Sequence, residues 1–278
     1  MDQWRLIAAA THGNDPTQGW VAAGLALALA AVAVRGWFGL RGTTLAAPAV
    51  WTIAAALAVA AVELCLAANP AWRGMGASLA RYAAAVGTLC PLMAVLGAKR
   101  PQDRAWQWVV LSLWIVLLVP AGQALAAQGR GEFTTALPWS GLLLGLIALG
   151  PLNYLATRWA LAAVTCAFGQ YALLAAPLGS SWTPPAVVAV GALLVAAVLP
   201  TLPRRAGGPA PDEGPLGAFT GRWLAFRDGW GAFWALRVLN RVNETEALSR
   251  WPVRLQWTGF TPVEPGGASL PLEPSVAA

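Results

Sequence analysis

The chain has 278 residues, of which 58% are hydrophobic and only 11% are charged. Ordinary soluble domains carry about a quarter charged residues, so this composition excludes a typical soluble globular protein. The net charge of +6 would suggest nucleic-acid binding in a soluble protein, but basic residues also collect in the cytoplasmic loops of membrane proteins, and we favour that interpretation.

The apolar residues occur in long runs with few charges, which is the pattern of transmembrane helices. Strands of a β-barrel would alternate apolar and polar residues, whereas residues 25–34 read LALALAAVAV without a polar position. We therefore predict an all-α polytopic membrane protein. Seven spans are predicted, in chain order, at residues 20–40, 45–68, 79–98, 105–125, 137–155, 160–178 and 185–202.

Arginine and lysine are distributed unevenly between the two sides of this predicted bundle. The side with more of them holds Arg35, Arg41, Lys99, Arg100, Arg104, Arg158, Arg204 and Arg205, and the other side holds Arg5, Arg73 and Arg130. Because positive residues concentrate in cytoplasmic loops, we expect the N-terminal segment (1–19) outside and the C-terminal segment in the cytosol. The alanine-, arginine- and tryptophan-rich composition suggests the inner membrane of a high-GC bacterium.

Glu63 and Arg81 are ionisable residues that lie within the predicted spans. Glu63 lies five residues before the outer end of the second span, and Arg81 lies near the outer start of the third. Antiparallel neighbouring helices would place them at similar depth, where an unpaired charge is costly. We predict that they form an ion pair, which serves either as a structural clip between the helices or as an outward-facing gate or substrate contact.

Other polar residues in the spans allow two interpretations. Gln170 lies in the middle of the sixth span and predicts a hydrogen bond between helices. Asn153 follows Gly150-Pro151, a pair that could break the fifth span, and broken helices mark substrate sites in transporters. Gln170 and Asn153 are therefore candidates for lining a cavity. The three cysteines are predicted to be buried apolar residues, with no disulfide and no metal site.

The predicted linker at 203–215 is followed by an aromatic and basic segment at 216–260. Five aromatic residues recur there at spacings of 4, 3, 4 and 3, which would place their rings on one helical face. They are Phe219, Trp223, Phe226, Trp230 and Phe233, and Arg237 and Arg241 continue the same face. We expect this amphipathic helix to lie on anionic lipid or to dock on a partner protein, and both alternatives remain open.

Residues 251–260 alternate apolar and polar side chains, which is the pattern of a half-buried strand. One strand cannot form a sheet, so we expect this segment to pair with another chain or to pack as an extended tail. Residues 261–278 are predicted to be disordered. The glycosylation sequon at Asn243-Glu-Thr245 is interpreted as a chance match, because the segment is expected to be cytoplasmic.

Several chemistries are disfavoured by the residues present. The only histidine, His12, precedes the first span, the only lysine, Lys99, lies after the third, and no aspartate falls within a span. This argues against a bis-histidine haem, retinal and aspartyl chemistry in the membrane, and we expect no cofactor. Nucleic-acid binding is not expected, because eight basic residues after Pro203 are nearly balanced by seven acidic ones.

The sequence therefore predicts a non-catalytic scaffold or accessory subunit of a membrane assembly, which docks on a membrane or cytoplasmic partner protein through its C-terminal segment. The alternative is a transporter of a small solute or lipid, with a cavity near Glu63, Arg81 and Gln170. A membrane-embedded enzyme ranks third, because few general acids or bases are available.

Overall fold

The structure, a computed structural model, describes residues 16–69, 71–97, 105–127, 133–202 and 215–263. About 77% of the described residues are helical, and the chain divides into two compact units, Met1–Pro203 and Arg204–Ala278. Most of the predicted N-terminal segment, nearly all of the linker and the chain beyond residue 263 lie outside the described residues. His12 and Lys99 lie outside them as well.

The first unit is built entirely of helices in its described part. In chain order these are α1 (Pro16–Leu40), α2 (Ala46–Ala68), α3 (Met75–Gly87), α4 (Cys90–Gly97), α5 (Ala105–Leu117), α6 (Val119–Ala126), α7 (Leu137–Tyr154), α8 (Ala160–Leu174), α9 (Ala186–Val198) and a 3₁₀ turn (Leu199–Thr201). Alanine, leucine and valine dominate every one of them, so that in lipid the backbone satisfies its own hydrogen bonds and the side chains face an apolar solvent.

Within the described residues, five apolar stretches are long enough to cross a bilayer, which requires about 20 residues. They are Pro16–Leu40, Ala46–Ala68, Met75–Gly97, Ala105–Ala126 and Leu137–Tyr154. The remaining apolar helices, Ala160–Leu174 and Ala186–Thr201, are shorter. These helices indicate a multi-pass, all-α membrane protein.

Two of the predicted spans are interrupted by short breaks. The third is divided at Thr88 and Leu89 into α3 and α4, and the fourth is divided at Leu118 into α5 and α6. Each second half carries a proline at its second position, Pro91 and Pro120, and a proline has no N–H with which to continue the preceding helix. The sequence allowed a break at Gly150-Pro151, but α7 continues through Pro151 to Tyr154.

The α3–α4 segment lies in the middle of the first unit. It packs against α2, α5 and α8, whereas α1 packs against α2 and α9, and α7 packs against α8. Of the 18 most apolar consecutive residues of this segment, 56% are buried. In the corresponding stretches of the other four long apolar segments, 22–28% of the residues are buried. The outer helices therefore present most of their apolar side chains to the surroundings, as expected for a bundle in lipid.

The second unit is a small folded domain. It contains α10 (Pro215–Trp230), α11 (Ala232–Ser249) and an antiparallel hairpin of β1 (Val253–Gln256) and β2 (Gly259–Pro262), with Leu255 opposite Phe260. Its core consists of Trp223, Ala235 and Leu255, with seven partly buried apolar residues packed around them. Two helices and a hairpin thus bury one shared apolar cluster.

This domain corrects three predictions. The strand at 251–260 is not alone, because residues 259–262 fold back and pair with it. The predicted boundary at residue 260 therefore falls inside a strand. The aromatic helix is not continuous, because Gly231 has φ of +79° and separates α10 from α11. A left-handed residue, which glycine tolerates without steric cost, redirects the chain there and moves Phe233 onto the second helix.

Candidate functional site

Glu63 of α2 and Arg81 of α3 form a bidentate ion pair. Arg81 Nε donates to Glu63 Oε1 at 2.8 Å, and its terminal nitrogen donates to Oε2 at 3.0 Å. The glutamate side chain is 4% exposed, whereas that of the arginine is 48% exposed. The hairpin thus brings the two residues together, with the carboxylate inside the bundle and the guanidinium extending to its surface.

The two residues meet because they lie at matching heights on antiparallel helices. Glu63 is five residues before the end of α2 and Arg81 is six residues after the start of α3, which is about 8–9 Å along each helix axis. Helix α1 also approaches here, since a Cβ on Gly19 would lie 2.9 Å from Ala67 Cβ and 3.4 Å from the Glu63 carbonyl oxygen. Helix α1 therefore packs closely against α2 beside the residue that carries the carboxylate.

Gln170 of α8 is buried and contacts the break in the central helix. Its Nε2 donates to the carbonyl oxygen of Thr88 at 2.8 Å, and Thr88 is one of the two residues between α3 and α4. A backbone acceptor at a break in a membrane helix needs such a donor, because lipid supplies none. Gln170 therefore makes an interhelical hydrogen bond.

Other polar groups in the first unit also have partners. Asn153 is completely buried and has an interaction partner. Tyr82 Oη donates to the Leu117 carbonyl at 2.7 Å, next to the break between α5 and α6. Trp51 Nε1 donates to Gln107 Oε1 at 2.7 Å. Across the described residues, every fully buried side-chain nitrogen or oxygen atom has a hydrogen-bond partner.

An open depression of about 680 Å³ lies on α1 rather than near Gln170. The described residues that line it are Ala31, Val34, Arg35 and Phe38. Nearby, the Arg41 guanidinium lies 4.1 Å from the ring centre of Trp37 and 4.2 Å from that of Phe38. The basic end of α1 is therefore stabilised by cation–π contacts, and the residues predicted to line a cavity do not line this depression.

The predicted aromatic face of the second unit is divided between its core and its surface. Trp223 is buried and Phe226 stacks between Trp223 and Trp230. Phe219 and Phe233 are 53% and 40% exposed. The predicted face is therefore not one continuous exposed surface, because Trp223, Phe226 and Trp230 form a stack of buried and partly buried rings while Phe219 and Phe233 are exposed.

Three polar side chains, whose role was not predicted from the sequence, bond the hairpin to the helices. The Asn243 amide donates to the Leu255 carbonyl at 2.9 Å and accepts from the Leu255 N–H at 3.0 Å. Thr220 Oγ1 accepts from the Phe260 N–H at 3.0 Å. Arg227, paired with the buried Asp228, donates to the Trp257 carbonyl at 2.9 Å. The sequon at Asn243 therefore marks a structural amide.

Arg237 and Arg241, the two arginines that continue the predicted face, lie on α11 and are exposed. The Arg237 guanidinium lies 5.3 Å from the ring centre of Trp234, and Arg241 pairs with Glu244 at 3.1 Å. Both partners of that pair are largely exposed, so it contributes little stability. The outer surface of α11 therefore presents exposed positive charge beside exposed apolar residues.

No group of three or more histidine, cysteine, aspartate or glutamate side chains in the described ranges is placed to hold a metal ion. Comparison of the chain with protein-family models, with curated proteins and with solved structures finds no match.

Proposed function

We propose that the chain is a non-catalytic, multi-pass membrane protein that anchors a small folded domain at the cytosolic surface of a bacterial inner membrane. The observation that carries this proposal is the internal pairing of the buried polar groups. Glu63 and Gln170, two of the residues predicted to lie near a transport cavity, are engaged with Arg81 and Thr88. They fasten helices to one another, which is the role that polar residues commonly have in membrane bundles.

The proposed topology has seven spans with the N-terminus outside. The two shorter helices, Ala160–Leu174 and Ala186–Thr201, would complete the seven, because they pack on each other and α9 packs on α1. Arg35 and Arg41 at the end of α1 and Arg158 before α8 would then face the cytosol, in agreement with the concentration of positive charge on that side.

A transporter is the second candidate, and one observation favours it. The central α3–α4 segment is broken near the middle of the bundle, and a carbonyl at the break contacts a side chain of another helix. Broken helices of this kind surround the substrate in several transporter folds. A transporter, however, also needs a water-accessible path to the break, and that path can be tested directly.

The native thiols report on water access to this break. Cys90 lies two residues after Thr88 and is completely buried, and Cys166 lies one helical turn before Gln170 and is partly buried. The full-length protein in lipid nanodiscs is treated with a charged methanethiosulfonate, and modified peptides are identified by mass spectrometry. Thr43→Cys, in the exposed α1–α2 turn, is the positive control.

We expect the reagent to modify the cysteine at position 43 and to leave Cys90 and Cys166 intact until the protein is denatured. Rapid modification of Cys90 or Cys166 in the folded protein would reveal a water-filled path and would favour the transporter. Orientation is tested with Thr43→Cys and Ser181→Cys, both at exposed positions. Because Cys65 is itself exposed, it is replaced by alanine in both variants. In whole cells an impermeant reagent should then label the cysteine at position 181 and not that at position 43; labelling only at position 43 would reverse the topology.

A further inference from the structure

The outer face of α11 combines exposed apolar residues with exposed arginines. The inner face of the helix, with Ala235, Val238, Leu239 and Val242, packs into the core of the domain. Residues spaced by three and four along the opposite side share one surface. Its exposed members are Phe233, Leu236, Arg237, Asn240, Arg241, Glu244, Ala247 and Leu248.

The exposed charge of the domain is strongly positive. Residues 215–263 contain six arginines and three acidic residues. Asp228 is buried against Arg227, and Glu246 is partly buried. The charged residues that are exposed are therefore Arg222, Arg237, Arg241, Arg250 and Arg254 against Glu244. A surface of this kind attracts phosphate groups, to which arginine donates in a charge-assisted, bidentate manner.

We propose that the outer face of α11 binds the anionic surface of the bilayer. Arg237 and Arg241 contact lipid phosphates, while Leu236 and Leu248, which are 48% and 87% exposed, enter the headgroup region. The Arg241–Glu244 pair is exposed on both sides, so Arg241 can exchange the carboxylate for a phosphate at little cost. Basic amphipathic helices bind anionic membranes through this combination of charge and apolar area.

The position of the domain in the chain favours lipid as the occupant. Twelve residues, 203–214, separate it from the last apolar helix, and such a segment reaches at most about 40 Å. The bilayer surface is therefore always present at high effective concentration, and even a weak affinity suffices for docking. This inference rests on the proposed function, in which the bundle spans the membrane and holds the domain beside it.

The experiment compares two positions of the domain in nanodiscs that contain the full-length chain. With the native cysteines replaced by alanine, a nitroxide is attached through Ala247→Cys on the outer face of α11 or through Gln256→Cys. Gln256 is exposed on the hairpin, which packs on the inner side of α11. The accessibility of each nitroxide to oxygen and to a water-soluble nickel complex is measured in zwitterionic and in partly anionic lipid.

In anionic lipid we expect the ratio of oxygen to nickel accessibility at position 247 to rise several-fold, with little change at position 256. High salt or the double variant R237Q/R241Q should remove the rise. The matched variant R222Q/R254Q, which removes the same charge from other exposed positions, should retain it. An equal loss in both double variants, or no rise in anionic lipid, would overturn the proposal. The absence of a rise in anionic lipid would favour a protein partner instead.

A second measurement avoids any change of sequence. Hydrogen–deuterium exchange of the native chain should slow in the C-terminal turns of α11 when anionic lipid is added, and unchanged exchange there would contradict lipid docking. Both leaflets of a nanodisc have the same composition, so neither result depends on the orientation of the bundle. Failure of the proposed function would instead appear as modification of Cys90 or Cys166, independently of what α11 does.

Discussion

The side-chain amide of Asn243 bonds to both backbone polar groups of Leu255, the central residue of β1. The two bonds are 2.9 and 3.0 Å long, and Leu255 is 2% exposed. In an antiparallel pair, alternate residues direct their N–H and C=O away from the partner strand. Leu255 is such a residue, and Asn243 takes the place of the strand that would otherwise neighbour it.

Replacing Asn243 by alanine should therefore destabilise the C-terminal domain by about 2–3 kcal/mol, because a buried donor and a buried acceptor lose their partners together. Hydrogen exchange of the 250–262 peptide in the full-length protein provides the measurement, with accelerated exchange expected. Asn240→Ala, at an exposed position on the same helix, is the control and should leave exchange unchanged. Equal exchange in the two variants would contradict this role.

The packing of α8 on α9 predicts opposite outcomes for two glycine substitutions. A Cβ on Gly169 would lie 2.9 Å from the Ala189 carbonyl oxygen and from Leu193, whereas nothing lies within 4 Å of one on Gly141. We expect Gly169→Ala to destabilise the bundle by about 1–3 kcal/mol through overpacking. Gly141→Ala should be neutral or slightly stabilising, because alanine has the higher helix propensity. Unfolding in mixed micelles distinguishes them, and equal midpoints would refute the close approach.

Loss of the Gln170 side chain should weaken the contact between α8 and the central break. Gln170→Leu retains approximate size but leaves the Thr88 carbonyl without this donor, at an expected cost of about 1 kcal/mol. The matched control is Gln123→Leu, because Gln123 is exposed on α6. Reversible unfolding in mixed detergent measures both. If the Gln170→Leu protein were as stable as the control variant, the hydrogen bond from Gln170 to the Thr88 carbonyl would not be needed for stability.

The ion pair predicts an asymmetry between its two partners. Arg81→Gln leaves a carboxylate that is 4% exposed without its counter-charge, with an expected cost of about 3 kcal/mol. Glu63→Gln should cost about 1 kcal/mol, since the half-exposed arginine can turn its guanidinium toward water or headgroups. The double variant E63Q/R81Q should be more stable than Arg81→Gln alone. Thermal unfolding in detergent provides the comparison, and equal costs for the single variants would argue against this burial difference.

The sequence was sufficient to predict the helical membrane class and the location of the ion pair. Long uncharged runs have few alternatives to helices in lipid, and Glu63 and Arg81 are at similar distances, five and six residues, from the turn that joins their helices. The breaks at Thr88 and Leu118 were not predicted, although Pro91 and Pro120 were a usable signal. Gln170 and Thr88 are 82 positions apart in the sequence, and a local sequence pattern cannot predict a contact between residues so far apart.

The fold of the C-terminal domain was missed for a different reason. The spacing of the aromatic residues fits one continuous helix, but Gly231 adopts a left-handed conformation, and Phe233 then belongs to another element. The turn at Trp257-Thr258 lacks the Asn-Gly or Asp-Gly pair that usually indicates a tight hairpin. The second strand, Gly-Phe-Thr-Pro, is short and ends in proline. It therefore lacks the alternation of apolar and polar residues that would predict a strand.

The polar contacts around the hairpin also have a consequence for how copies of the chain behave in a crowded membrane. An uncovered strand edge is a template on which a neighbouring copy can add its own strand. Here Asn243 occupies the backbone groups of Leu255, Thr220 occupies the N–H of Phe260, and Pro262 has no N–H to offer. These contacts occupy backbone groups at the edges of the hairpin, which hinders the addition of a strand from a neighbouring copy of the chain.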